Sequence, residues 1–186
     1  MAYPRTSTQS SYGDSDLVDN SVKNDYNGNY GSSHGYTGVN YGKNPTYASV
    51  ASFTETDWDD REVKPNGVIF RGSEVTVGMI RDGTSNTYLM GEKMMDTNHY
   101  TDGQDGGDDG SGYDAVCADN LRASTACPLQ DRSGYGNCNI FGASHAGAFG
   151  MVMCDGSVQR ISYQIDLKTH QDLGQRNDGR IASIVQ

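Results

Sequence analysis

The densest set of potential ligands in the sequence is an acidic, glycine-rich run carrying Asp102, Asp105, Asp108, Asp109 and Asp114, with Asp119 just beyond it. Calcium takes about six to eight oxygens, and carboxylates on a pliable loop can supply them. Asp105, Asp108, Asp109 and Asp114 lie closest together and are the expected ligands, and calcium is the one cofactor the sequence suggests. Like charges so crowded repel one another, and only Arg122 is near to offset them. The spacing is not that of an EF-hand, because the D-x-D-x-D-G order and the closing Glu are absent. A solvated acidic loop is the competing reading.

His145 and Asp155 are the next pair that invites chemistry, either as a dyad or as metal ligands. Extended backbone between them would cover roughly 33 Å, at about 3.3 Å per residue. They meet only if Gly147 and Gly150 fold the chain sharply. The expectation is structural: His145 packs or hydrogen-bonds at one end of a strand, and Asp155-Gly156 makes the turn at the other. No G-x-S-x-G elbow and no H-E-x-x-H occurs. His34, His99, His145 and His170 stand in unrelated contexts, and the scattered methionines suit core filling. The expectation is a protein that is not an enzyme.

The cysteines are Cys117, Cys127, Cys138 and Cys154, with no C-x-x-C pair to favour zinc. An even number in an acidic, glycine-rich chain fits an oxidising compartment and disulfides. Sequence proximity ranks Cys117–Cys127 and Cys138–Cys154 first, and buried unpaired thiols are the alternative.

The elements that would position these groups are modest. Apolar residues are 34% of 186, and Gly (24) and Tyr (12) are abundant, a profile of short strands, turns and loops. The length suits one domain spanning 1–186. A net charge of −10 disfavours nucleic acid, which needs clustered Lys and Arg. No stretch approaches the roughly 20 apolar residues that span a bilayer, so membrane contact is not expected of this chain.

Residues 1–45 read as loop laid over a sheet, with 1–20 disordered and Tyr26, Tyr30, Tyr36 and Tyr41 as packing groups. Residues 46–60, with Trp58, read as surface loop. Val68-Ile69-Phe70 reads as a short strand. Val75, Val77 and Met79 alternate with polar residues, and Thr87–Met94 forms a better strand. Asp155-Gly156 between two β-prone runs predicts a type I′ hairpin over about 149–163, with Met153 opposite Val158 and Cys154 opposite Ser157. Asp166 as N-cap and Gly174 as C′ residue bracket one short helix.

Three collinear stretches resemble a known family. The first runs from Gly67-Val68-Ile69-Phe70 through Asp82-Gly83-Thr84-Ser85-Asn86-Thr87 to Gly91-Glu92. The second is Phe141-Gly142-Ala143-Ser144-His145, then nine residues, then Asp155-Gly156-Ser157-Val158. The third spans Ile161 to Asp166 and closes at Asp178-Gly179. A weaker match is Asp25-Tyr26-Asn27-Gly28-Asn29. Together they resemble the bacterial prepilin-type-processing-associated H-x(9)-D-G domain, of type IV pilin or pseudopilin-like surface proteins. The usual leader and apolar helix of that family are not in this sequence.

The resemblance implies an α+β, mainly β fold, an antiparallel sheet of a pilin-like head with long loops and one short C-terminal helix. It implies a structural or interaction module of a pilus-like or secretion-associated surface assembly, extracellular, at the cell surface or periplasmic. Its partners would be proteins, self-assembly into a filament or surface layer included. The alternative is a secreted binding domain for polysaccharide or another ligand, using Trp58 and the Tyr-rich N-terminal loop. The implied roles of His145, Asp155 and Gly156 are structural.

Overall fold

The structure, a computed structural model, describes residues 2–4, 20–33, 65–70, 72–110, 118–182 and 184. In chain order the strands are β1 (Ala2–Pro4), β2 (Asn20–Val22), β3 (Tyr26–Gly31), β4 (Tyr88–Glu92), β5 (Leu121–Ala123), β6 (Leu129–Gln130), β7 (Gly142–Ala143), β8 (Ala148–Met153) and β9 (Val158–Ser162), followed by helix α1 (Leu167–Gly174). Five of them form a sheet in the order β5-β3-β4-β8-β9. β3 runs parallel to β5 and every other neighbour pair is antiparallel. The architecture is α+β and mainly β, with a mixed sheet where an antiparallel one was expected. Two short pairs, β1–β2 and β6–β7, lie outside that sheet.

The hairpin β8–β9 carries the core. Phe149, Met151 and Met153 alternate inward along β8, as the period of two requires, and Ile161 meets them from β9. Tyr88, Phe141 and Leu173 close the cluster. Its rings pack tightly: Phe141 stacks on Phe149 at 6.3 Å between centroids, and His170 of α1 meets both edge-on. Burying each such side chain contributes about 1.5–3 kcal/mol.

The turn itself differs from the type I′ expectation. Val152 pairs with Val158, one residue away from the predicted register. Gly156 N–H donates to Met153 O, Met153 N–H donates to Ser157 O, and Gly156 has φ 86°. This is the three-residue loop that ends in a bulged glycine, which needs positive φ at one position only. Asp155 Oδ1 accepts from Ser157 N–H at 2.8 Å and completes the loop.

β3 is the larger surprise. Its sequence, Tyr-Asn-Gly-Asn-Tyr-Gly, carries no β-branched residue, and loop was expected there, yet it lies inside the sheet between β5 and β4. Side chains replace the usual packing logic. Asn29 is fully buried; its Nδ2 donates to Tyr88 O at 2.8 Å and Gly174 O at 2.9 Å, and its Oδ1 accepts from Gly31 N–H. Gly28 leaves the space that Ile69 fills, since a Cβ there would lie 2.7 Å from Ile69 Cγ2.

Two expected strands are not strands. Gly67 N–H reaches Tyr30 O, and both Val68 and Ile69 N–H groups converge on Asn29 O, a hook that no ladder could form. Val77–Met79 is a 3₁₀ turn with Val77 73% and Met79 51% exposed. Its backbone is satisfied locally, Met79 N–H to Thr76 O and Ile80 N–H to Val77 O, and alternation without a partner strand makes no sheet.

Helix α1 starts as expected: Asp166 accepts from Thr169 N–H at 2.9 Å. Gly174 does not serve as a left-handed C′ residue. It is the last helical residue, and it is glycine because Ser124 presses against it. Among the described residues, no helix is long and apolar enough to cross a membrane.

Candidate functional site

Where β4 leaves the sheet, Glu92 points across Gly150 of β8. Its Oε2 accepts from Gly150 N–H at 2.5 Å, and its Oε1 lies 3.2 Å from His145 Nε2. The lack of a side chain at Gly150 makes the approach possible, because a Cβ there would meet Glu92 Oε2 at 3.1 Å. His145 itself is 57% exposed and stands in the turn before β8. Tyr163 Oη, 3.0 Å from both Ala143 O and His145 O, pins that turn.

Glu92 and His145 form one wall of a cavity of about 440 Å³. Tyr100 and Asp131 line the same cavity, joined by a 2.6 Å hydrogen bond from the phenol to the carboxylate. Burial, then the Tyr100 hydrogen bond acting against it, leaves Asp131 above the usual carboxylate range. Burial likewise raises Tyr100, with Asp131 adding to it. Lys23, Lys93 and Asp108 also line the cavity. The lining is mainly polar and charged, and Lys93, Asp108, Glu92 and Asp131 in it are already engaged by protein partners. A histidine–carboxylate pair can also move a proton.

Among the described residues, the acidic run does not gather around a common point. Asp105 Oδ2 accepts from Asp96 N–H at 2.6 Å and its Oδ1 from Gly107 N–H at 2.8 Å. Asp108 is paired with Lys93. Asp109 is half-buried, and burial followed by the charge of Asp119 raises it. Asp114 lies outside the described residues. Among the described residues no group of three or more His, Cys, Asp or Glu side chains is placed to hold a metal ion. Asp105 and Asp108 of the expected calcium set thus face protein donors. The cause is the burial of the loop, which brings N–H groups and Lys93 to the carboxylates.

The expected Cys138–Cys154 bridge is not formed: Cys127, Cys138 and Cys154 are free thiols. Cys154 sits at the hairpin turn, beside the start of β4, with Sγ 3.6 Å from Tyr88 O. Cys138 lies beside Gly107, beyond the other end of β4, just ahead of the Lys93–Phe141 bridge. Burial pushes the Cys154 thiol up to about 11. The Cys117–Cys127 pairing involves Cys117, which lies outside the described residues, as does Trp58.

His145 and Asp155 stand beyond opposite ends of β8, whose six residues cover roughly 20 Å. They do not act on one atom. Four residues whose side chains tie the fold together carried no assigned role in the sequence: Glu92, Lys93, Asp82 and Asn29. Glu92 was visible only as part of Gly91-Glu92, and Lys93 only as its neighbour.

Asp82 ties the third stretch to the first. Its two oxygens accept from Asp178 N–H and Gly179 N–H, each at 2.8 Å, while Arg81 N–H donates to Arg176 O at 2.7 Å. Arg176 in turn donates to Pro65 O and Gly67 O. Asp155 N–H reaches Thr84 O and Cys154 N–H reaches Thr87 O. No curated protein and no solved structure matches the chain. A family model described as "Protein of unknown function (DUF1559)" matches residues 8–168, and the chain belongs to that family.

Proposed function

We propose that this chain is the β-rich outer domain of a bacterial surface assembly of the pilin or pseudopilin kind, a structural or interaction module and not an enzyme. One observation carries the reading. The stretches that resemble the H-x(9)-D-G family engage one another's backbone: Asp82 with 178–179, Asp155 with Thr84, Glu92 with Gly150, Asn29 with Tyr88 and Gly174. Side-chain bonds from Asp82, Glu92 and Asn29, with the backbone bond from Asp155 N–H to Thr84 O, hold these loops in place and give the domain a fixed surface.

The test is localisation in the organism that carries the protein. Antibody to the folded domain, applied to intact cells and followed by gold-label electron microscopy, should decorate the envelope surface or a filament. Label confined to the cytoplasm of permeabilised cells would end the proposal.

A further inference from the structure

Lys93 and Asp108 are nearly sealed from solvent, with side-chain exposures of 1% and 7%, and Nζ lies 2.5 Å from Oδ1. A carboxyl C–O bond is about 1.25 Å long, so Nζ is at most about 3.8 Å from Cγ. That is close to the separation of about 3–3.5 Å from which bond formation proceeds without further diffusion. The two groups are also held there. Lys93 Nζ donates to Gly107 O at 3.1 Å, and Lys23 Nζ donates to Asp108 O and to Gly110 O, which clamps the loop carrying Asp108.

The surroundings favour the uncharged forms of both partners. Burial lowers the Lys93 ammonium below its ordinary range, against the opposing charge of Asp108. Burial raises the Asp108 carboxyl, against the opposing charge of Lys93. A neutral amine has the lone pair that attack requires, and a protonated carboxyl has a hydroxyl that can leave as water. Asp119, 3% exposed, is close enough for its charge to act on both groups.

We propose that Lys93 and Asp108 condense into an intramolecular amide that staples the acidic loop to the end of β4. The Nζ lone pair attacks Cγ of the protonated Asp108 side chain and the C–N bond forms. Asp119 takes a proton from the nitrogen and returns it to the departing hydroxyl. The C–O bond breaks and one water leaves into the adjoining cavity, which both residues line. No oxidant, metal or second substrate takes part. The product replaces a buried ion pair, whose desolvation is costly, with a neutral bond.

The test is intact mass spectrometry of the purified full chain in denaturant, followed by tryptic mapping. The wild type should be lighter than its sequence by one water. Trypsin should fail to cut after Lys93 and should release residues 82–122 as one peptide, also lighter by one water. Lys93→Arg and Asp108→Ala should each regain the full mass. A wild-type chain of full mass, cut normally after Lys93, overturns the proposal. So does a lighter chain still cut after Lys93, because an Asp-Gly succinimide would then explain the missing water.

Discussion

Acidification should destabilise this domain through His170, and the magnitude can be worked from its surroundings. The imidazole is fully buried among Tyr88, Phe141 and Phe149. Its Nδ1 lies 3.2 Å from the Tyr88 hydroxyl, and its Nε2 has no hydrogen-bond partner among the described residues. Burial lowers its pKa from the ordinary 6.5 to about 4. In that window the unfolded chain binds the proton and the folded one does not, so stability rises with pH. Between about pH 7.5 and about pH 5 the loss amounts to roughly 2 kcal/mol, growing to roughly 3 kcal/mol below about pH 4. The carboxylates also titrate there, so the comparison must be with His170→Gln, which keeps a polar partner for Tyr88 and cannot charge. Urea unfolding of both proteins across the pH range isolates the histidine. The wild type should lose roughly 2 kcal/mol more than the variant by about pH 5. Parallel stability curves for the two proteins would refute the reasoning.

Gly174→Ala should cost about 1–3 kcal/mol, because its Cβ would lie 1.9 Å from Ser124 Oγ in a fully buried contact; the double variant with Ser124→Gly should recover most of it in the same urea titration. Asn29→Ala should cost about 3 kcal/mol, since it leaves the Tyr88 and Gly174 carbonyls without their buried donor, and thermal unfolding would show it. Calcium at millimolar concentration should shift the melting temperature little relative to chelator, because Asp105 and Asp108 already face N–H groups and Lys93. A rise of several degrees would show that the loop reopens around the ion.

Local signals were readable in the sequence wherever a few neighbouring residues decide the outcome. The Asp155-Gly156 turn and the Asp166 cap are of this kind: each rests on one side chain and one backbone torsion within three residues. Features decided by distant partners were not. β3 became an interior strand because Asn29 found carbonyls 59 and 145 residues away, and no pattern within Tyr26–Gly31 announces that. Val77–Met79 had the alternation of a strand but closes into a 3₁₀ turn, with no partner strand among the described residues. The hairpin's register slipped by one because a glycine at the third loop position, and not at the second, carries the positive φ.

The acidic loop shows why charge density alone misleads. Read as sequence, its carboxylates have no partners within reach, so a cation is the natural remedy. In the fold, backbone N–H groups of Asp96 and Gly107 and the amine of Lys93 arrive from the segment that follows β4 and from the loop itself. A carboxylate that accepts such donors inside the protein has its charge offset locally and is drawn out of solvent at the same time. Once buried, Asp108 and Lys93 are pushed toward neutrality together, which is a different chemistry from that of a hydrated metal loop. The same residues thus support ion binding only when the loop is open, and condensation only when it is packed against the end of β4. Mass spectrometry of the wild type and calcium titration of its melting therefore probe opposite states of one loop, and a closed, stapled loop predicts a missing water together with indifference to calcium.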